Sequence, residues 1–245
     1  MKKITKRIAI IVGVIVIIAL VAFGIYVNIY YHGNERAIKA LDGTDEVTVS
    51  AEDNRLVFQP KDQKVTTGLI FYPGAKVEYS AYAPLMTELA KKGYLCVVTK
   101  MPCNLAIFGQ GKADDVISDY KDIEHWFVGG HSLGGVMAAK YAKEHIDQVE
   151  GVVFLASYST ENLSETNLSA ISIYGTKDGI LNMDQVVSCR KNMPEDYAEL
   201  KIQGGNHAQF GDYGQQKGDQ SADVTVEEQQ EFAANAIGQF MGEKK

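Results

Sequence analysis

Cysteine is scarce in this 245-residue sequence: Cys96, Cys103 and Cys189 are the full set. Three thiols at long, unequal spacings exclude a disulfide framework and a zinc-ligand pattern. Cys96, in YLCVV, reads as a small apolar residue of a buried strand, and no spacing supports a Cys103–Cys189 bridge. Excess positive charge is also missing. With 24 Lys+Arg against 31 Asp+Glu the net charge is −7, so no nucleic-acid partner is expected. There is no repeat of fixed period and no low-complexity run. No G-x-G-x-x-G follows the first buried strand, which argues against a dinucleotide. Asp212 and Asp219, in GDYGQQKGD, lack the further oxygen ligands of a cation site and read as solvated loop. Neither a metal nor an organic cofactor is expected.

Charge disappears altogether in one place. Ile8–Tyr31 is a run of 24 residues without a charged side chain. It is apolar on all sides rather than striped, and a bilayer core needs roughly 20 such residues as a helix. The run exceeds the about 7–15 residues of a signal-peptide core, and no A-x-A-like cleavage site follows it. Lys2, Lys3, Lys6 and Arg7 all precede it, which favours a cytoplasmic N-terminus. The expected organisation is a cytoplasmic basic segment (1–7), a single-pass transmembrane anchor in the cell membrane (8–31), a polar linker or short helix (32–45), and a domain (46–245) on the outer face.

The remainder alternates strands with helices. EVTVSAEDNRLVFQP shows the period-2 pattern of a hairpin. Continuous apolar runs follow in TGLIFYPG (67–74), YLCVVTK (94–100), HWFVGG, VEGVVFLAS (149–157), AISIYGTKDG (170–179) and AELKIQGGNH (198–207). Between them lie helical patterns at 81–93, 112–121, GGVMAAKYAKEH, 183–192 and 226–241. Buried strands alternating with helices predict an α/β fold with a mostly parallel sheet covered on both faces.

Gly130-His131-Ser132-Leu133-Gly134 is a G-x-S-x-G pattern between a strand and a helix. In that context the serine takes a strained backbone and projects its hydroxyl above the sheet edge, and the flanking glycines let strand and helix approach. The helix N-terminus offers N–H groups to a developing oxyanion. A serine needs a histidine base, and the histidine a carboxylate that holds its tautomer. On such a sheet the acid and then the histidine follow in chain order, after later strands. Asp178 follows ISIYGT and His207 follows ELKIQ. Asp184 and Asp212 compete for the acid role. Among the five histidines, His32 is juxtamembrane, His125 precedes the elbow strand and His145 ends a helix. His131 either lines the pocket or packs in the turn.

On FYPGAK (71–76), GGHSLGG (129–135), YGTKDG (174–179) and GGNHAQFGDYG (204–214) the chain resembles the α/β-hydrolase family, over about residues 45–242. The likeness is to small, cap-less serine hydrolases whose oxyanion turn reads YPG. The resemblance implies Ser132 as nucleophile, His207 as base, Asp178 as orienting acid, and no cofactor. It implies an oxyanion hole from the backbone N–H of Leu133 and one N–H after FYPG, taken as Ala75 with Lys76 as the alternative. Residues 158–169 leave no room for a helical cap, so an open site built from loops such as 101–111 and 208–225 is expected. A small or polymer-attached ester or thioester suits it. An acyltransferase would use the same residues, and a membrane-tethered binding protein on an inactive hydrolase fold is the reading from another class. Tyr79, Tyr82 and Asn104 read as surface or packing residues, and Trp126 as core.

Overall fold

A computed structural model describes residues 2–243. Met1, at the start of the expected basic segment, and Lys244–Lys245, at the end of the expected domain, lie outside the described residues. The chain divides into two units, 1–30 and 31–245. The first holds one helix, α1 (Lys2–Asn28). Its stretch Lys6–Asn28, 23 residues, is long and apolar enough to cross a membrane. Large apolar side chains are exposed around its whole circumference, including Ile10, Ile11, Val12 and Leu20. The helix stops at Asn28, whose side chain donates to the Gly24 carbonyl at 2.7 Å, and Tyr31 belongs to the second unit.

The second unit is built on one eight-stranded sheet: β1 (Val47–Glu52), β2 (Arg55–Pro60), β3 (Thr67–Tyr72), β4 (Leu95–Thr99), β5 (His125–His131), β6 (Gly151–Leu155), β7 (Ser169–Gly175) and β8 (Asp196–Ile202). Their order across the sheet is β1-β2-β4-β3-β5-β6-β7-β8. The first hairpin pairs antiparallel with itself and with β4, and every later pairing is parallel. Alternate side chains of the central strands serve opposite faces. Leu69, Phe71, Cys96 and Val98 join one core with helices α3 (Ala83–Lys91) and α7 (Val226–Gly242). Ile70, Tyr72, Val97 and Val128 join the other, with α4 (Lys112–Asp119) and α5 (Leu133–Glu144). Helix α6 (Met183–Cys189) follows β7. Residues 156–168, between β6 and β7, contain no helix, so no large cap covers the sheet.

The segment 32–45, expected as a polar linker or short helix, holds a short helix and is folded into this unit. It holds α2 (Glu35–Lys39) and a 3-10 turn (Ala40–Asp42), and Ala37 is fully buried. The reason lies in partners distant in sequence. Tyr31 forms a parallel bridge with Val77, and the Asn34 N–H donates to the Asp212 carbonyl at 2.8 Å.

Candidate active site

Parallel strands deliver their carboxyl ends to one edge of a sheet, and the loops there can converge. Here β5 leads into Ser132, β7 to Asp178 and β8 to His207, while β3, beside β5, leads into the turn Pro73–Lys76. The central position of β5 thus sets Ser132 between that turn and the acid–histidine pair.

Ser132 has φ 52° and ψ −123°, a backbone rarely adopted by a residue with a Cβ. Two glycines make the elbow possible. A Cβ on Gly130 would lie 2.4 Å from the Gly134 backbone, and one on Gly134 would lie 2.0 Å from the Tyr72 carbonyl oxygen. Bare backbone therefore brings α5 against β5 and the elbow against the end of β3. The elbow is also held by hydrogen bonds: the Ser132 N–H donates to Leu155, and the Ser157 hydroxyl donates to the Ser132 carbonyl at 2.7 Å.

Asp178 and His207 have side chains 2% and 1% exposed, and His207 Nδ1 lies 2.9 Å from Asp178 Oδ2 and 3.1 Å from Oδ1. An ionised carboxylate only accepts, so Nδ1 carries the proton and Nε2 presents its lone pair. The Ile180 and Leu181 amides donate to Asp178 Oδ1 at 2.9 and 2.7 Å, fixing the carboxylate from behind. His207 Nε2 has no partner among the described residues. His207 lines a cavity of about 230 Å³ together with Ser132 and Leu133. The other walls are Val136, Ala156, Ile180 and Leu181, with Ser157, Tyr158 and Asn182 at hand, and no charged side chain. The loops 101–111 and 208–225, expected to build this site, contribute no residue to these walls. The turns after β6 and β7 do so instead, β6 lying beside β5 in the sheet and β7 beside β6.

In the turn after β3, the Gly74 N–H is taken by the Tyr82 hydroxyl at 2.9 Å and the Lys76 N–H by the Asn104 carbonyl at 2.8 Å. Pro73 has none to give. Ala75 carries the one amide of Pro73–Lys76 without a hydrogen bond among the described residues. Lys76, the alternative, is excluded as a free donor and sits at φ 59°. So loop 101–111 bears on the site indirectly, through Asn104.

His131 packs instead of lining the cavity. It is 1% exposed, its ring centroid is 4.5 Å from that of His207, and its Nδ1 is 2.9 Å from the Tyr82 hydroxyl. Burial first, then the neighbouring His207, holds its pKa well below the ordinary histidine value. Burial pushes the Tyr82 phenol upward, so it stays protonated. The hydroxyl accepts from Gly74 and donates to His131.

Two residues read otherwise from sequence bear on the site. Tyr82 is this link. Asp219, read as solvated, accepts the Gly179 N–H on Oδ1 and the Ala208 N–H on Oδ2, each at 2.9 Å. It thereby joins the residue after Asp178 to the residue after His207. The competing acids lie elsewhere: Asp184 is in the first turn of α6, and Asp212 is ion-paired with Arg36 at 2.9 Å. Of the other histidines, His125 bonds Glu150, His145 bonds the Tyr141 carbonyl and His32 bonds Glu78. No cluster of metal-ligating side chains occurs among the described residues, and the three cysteines are unpaired.

The sequence model of the alpha/beta hydrolase family matches residues 68–231. No curated protein sequence matches the chain. Among solved structures it is similar to the esterase domain of a Rhodothermus marinus protein, with a TM-score of 0.60 and 11% identity over 79% of this chain and 97% of that one. It is also similar to a soluble variant of the monoglyceride lipase of Saccharomyces cerevisiae solved with a substrate analog, with a TM-score of 0.59 and 12% identity over 83% and 96% of the two chains. At such identities the likeness is one of fold.

Proposed function

Because the chain belongs to the alpha/beta hydrolase family, we propose that it is a membrane-anchored serine hydrolase that cleaves a short-chain carboxylic ester or thioester. The supporting observation is that Ser132, on a strained elbow, and His207, paired with Asp178 through Nδ1, line the same cavity. In this reading Ser132 Oγ attacks the acyl carbonyl and His207 Nε2 takes its proton. The amides of Leu133 and Ala75 bind the oxyanion, where α5's N-terminus adds favourable dipole. His207 then returns the proton to the leaving alcohol or thiol, and water resolves the acyl-enzyme by the same route. Asp178 keeps Nδ1 protonated and stabilises the imidazolium.

The acyl side follows from the cavity. Its walls are mostly aliphatic and uncharged, and its volume lies below the about 300–1,000 Å³ of sites for drug-sized ligands. That matches a short neutral acyl group with the leaving group toward solvent. The apolar stretch of α1 and the basic residues of its first turns support anchoring in the cell membrane with the catalytic unit outside.

The test is fluorophosphonate labelling of the purified chain with the adduct located by mass spectrometry, followed by an ester series of increasing acyl length. Labelling at Ser132, absent in Ser132→Ala and weakened in His207→Ala, is expected, with turnover greatest for short acyl groups. Failure to label folded protein overturns the hydrolase reading. Activity that climbs steeply beyond about eight carbons overturns the small-acyl assignment.

A further inference from the structure

We propose that residues 31–36 form a strap that sets the geometry of the active site. Tyr31 positions the turn bearing the Ala75 amide, and Asn34 and Arg36 position the loop bearing His207. This rests on the hydrolase reading for its catalytic consequence, while the strap itself rests on hydrogen bonds.

The turn needs an external hold. Lys76 is in the left-handed region, a strained backbone for a residue with a Cβ. Both its backbone groups are committed: Asn104 takes the N–H, and the Tyr31 N–H donates to its carbonyl at 2.7 Å. The Glu78 N–H returns to the Tyr31 carbonyl at 2.8 Å, so Tyr31 grips the chain on both sides of Val77. The Ala75 N–H belongs to the Gly74–Ala75 peptide, next to the Ala75–Lys76 peptide that Asn104 holds, so the grip on Lys76 reaches the second oxyanion donor through the backbone dihedral angles of Lys76 and Ala75.

The same strap reaches the other half of the site. The Tyr31 ring lies 5.4 Å from that of Tyr213, and its hydroxyl accepts the Lys217 N–H at 3.2 Å. Asn34 donates from its backbone to the Asp212 carbonyl at 2.8 Å and from its side chain to Asp212 Oδ1 at 3.0 Å. Arg36 Nη1 donates to Asp212 Oδ2 at 2.9 Å and to Gln230 Oε1 at 2.8 Å. Arg36 Nε also lies 3.2 Å from Glu227. Asp212 is 5% exposed, and a buried carboxylate is costly unless paired. Its loop runs from His207 through a single short 3-10 turn, without strand pairing, so such ties decide its path.

A strap of this kind acts on the transition state more than on substrate binding. The oxyanion forms only as the carbonyl is attacked, so a misplaced donor lowers kcat and leaves KM nearly constant. Tyr31, Asn34 and Arg36 are thus positioning residues remote from the cavity walls.

The experiment uses the full-length chain in detergent micelles and compares Tyr31→Pro, Tyr31→Ala, Arg36→Ala and Arg36→Lys with the wild type. Proline at 31 removes the donor to Lys76 together with the ring and its hydroxyl, and alanine removes the ring and hydroxyl but keeps the donor. The readouts are kcat and KM on a short-chain ester, the rate of fluorophosphonate labelling at Ser132, and amide hydrogen exchange over 74–78 and 207–219. The expected result is a drop in kcat and labelling rate of about tenfold or more for Tyr31→Pro, and a smaller drop for Tyr31→Ala, at nearly constant KM. Arg36→Ala is expected to slow turnover and raise exchange in 207–219, with partial rescue by lysine. If Tyr31→Pro does not fold, the Arg36 pair carries the test alone. Folded variants with wild-type kcat, labelling and exchange overturn the strap. A wild type that never labels, yet whose variants raise exchange in these segments, overturns the hydrolase reading and leaves the strap standing.

Discussion

The Tyr82 hydroxyl lies 2.9 Å from both the Gly74 amide and His131 Nδ1, in a position closed to solvent. One phenol thus ties the turn after β3 to the histidine that packs on His207. Tyr82→Phe keeps the ring against Phe71 and deletes only the hydroxyl. It leaves a buried donor and a buried acceptor unmatched, which costs about 1–3 kcal/mol each at most. The expected outcome is a lower urea midpoint at unchanged m-value, together with slower labelling of Ser132.

His131 makes stability depend on pH in a defined direction. Tyr82, His207, Phe210 and Tyr213 surround its ring, and none is an acid that would favour its protonation. Its folded-state pKa is depressed, so between that value and about pH 6.5 the unfolded chain binds the extra proton. Its contribution to stability is therefore complete above about pH 6.5 and is lost as pH falls below it, by up to about 1.4 kcal/mol per pH unit. Urea unfolding of wild type and His131→Gln from pH 7.5 to 5 checks this. The variant's curve should be flatter on the acid side, and parallel curves would refute the assignment.

Asp178→Asn keeps the shape of the acid and removes its charge. The amide can donate to Nδ1 and so favours the tautomer with Nε2 protonated, which cannot act as a base. A fall in kcat of about 10³–10⁴-fold is expected, with KM within a few-fold of wild type. Steady-state kinetics on a short-chain ester decide it, with labelling of Ser132 falling in parallel.

Asp219→Ala removes the carboxylate that joins the amides of Gly179 and Ala208. The two loops keep their own residues but lose their shared acceptor, so the Asp178–His207 alignment loosens. A reduction of kcat by about 10–100-fold is expected, with the chain still folded by circular dichroism. Asp219→Asn, which retains one acceptor oxygen, should lie between alanine and wild type. Wild-type kinetics for both variants would show that Asp219 only orders the surface.

The elements were legible in the sequence because local pattern and tertiary demand agree. The apolar runs of β3–β7 sit in a sheet covered on both faces, and the helical stripes of α3, α5 and α7 meet those faces. The positions of Ser132, Asp178 and His207 were legible from strand–turn context, since chain order and strand ends fix where such residues fall. Tyr82 was not, because an aromatic in a short turn looks the same whether it packs or links two backbone segments. Asp219 was not, because a carboxylate that accepts main-chain amides needs no partner side chain to mark it. The strap was hidden for the same reason on a larger scale: Arg36 and Asp212 are 176 residues apart, and a polar, Gly-containing stretch resembles a linker until its acceptors are known.

By itself the sequence determined the apolar N-terminal run, the alternation that builds the sheet, and the elbow, acid and histidine at strand ends. Each depends on local periodicity or on a backbone conformation that few residues accept. Only the tertiary structure decided which turn amide is left unbonded, which loops wall the cavity, where the apolar helix gives way to the folded unit, and that residues 31–36 hold both halves of the site. Those are pairings between backbone groups distant along the chain. Every residue except proline carries the same amide N–H and carbonyl, so residue identity does not encode the pairing, and only folding selects it.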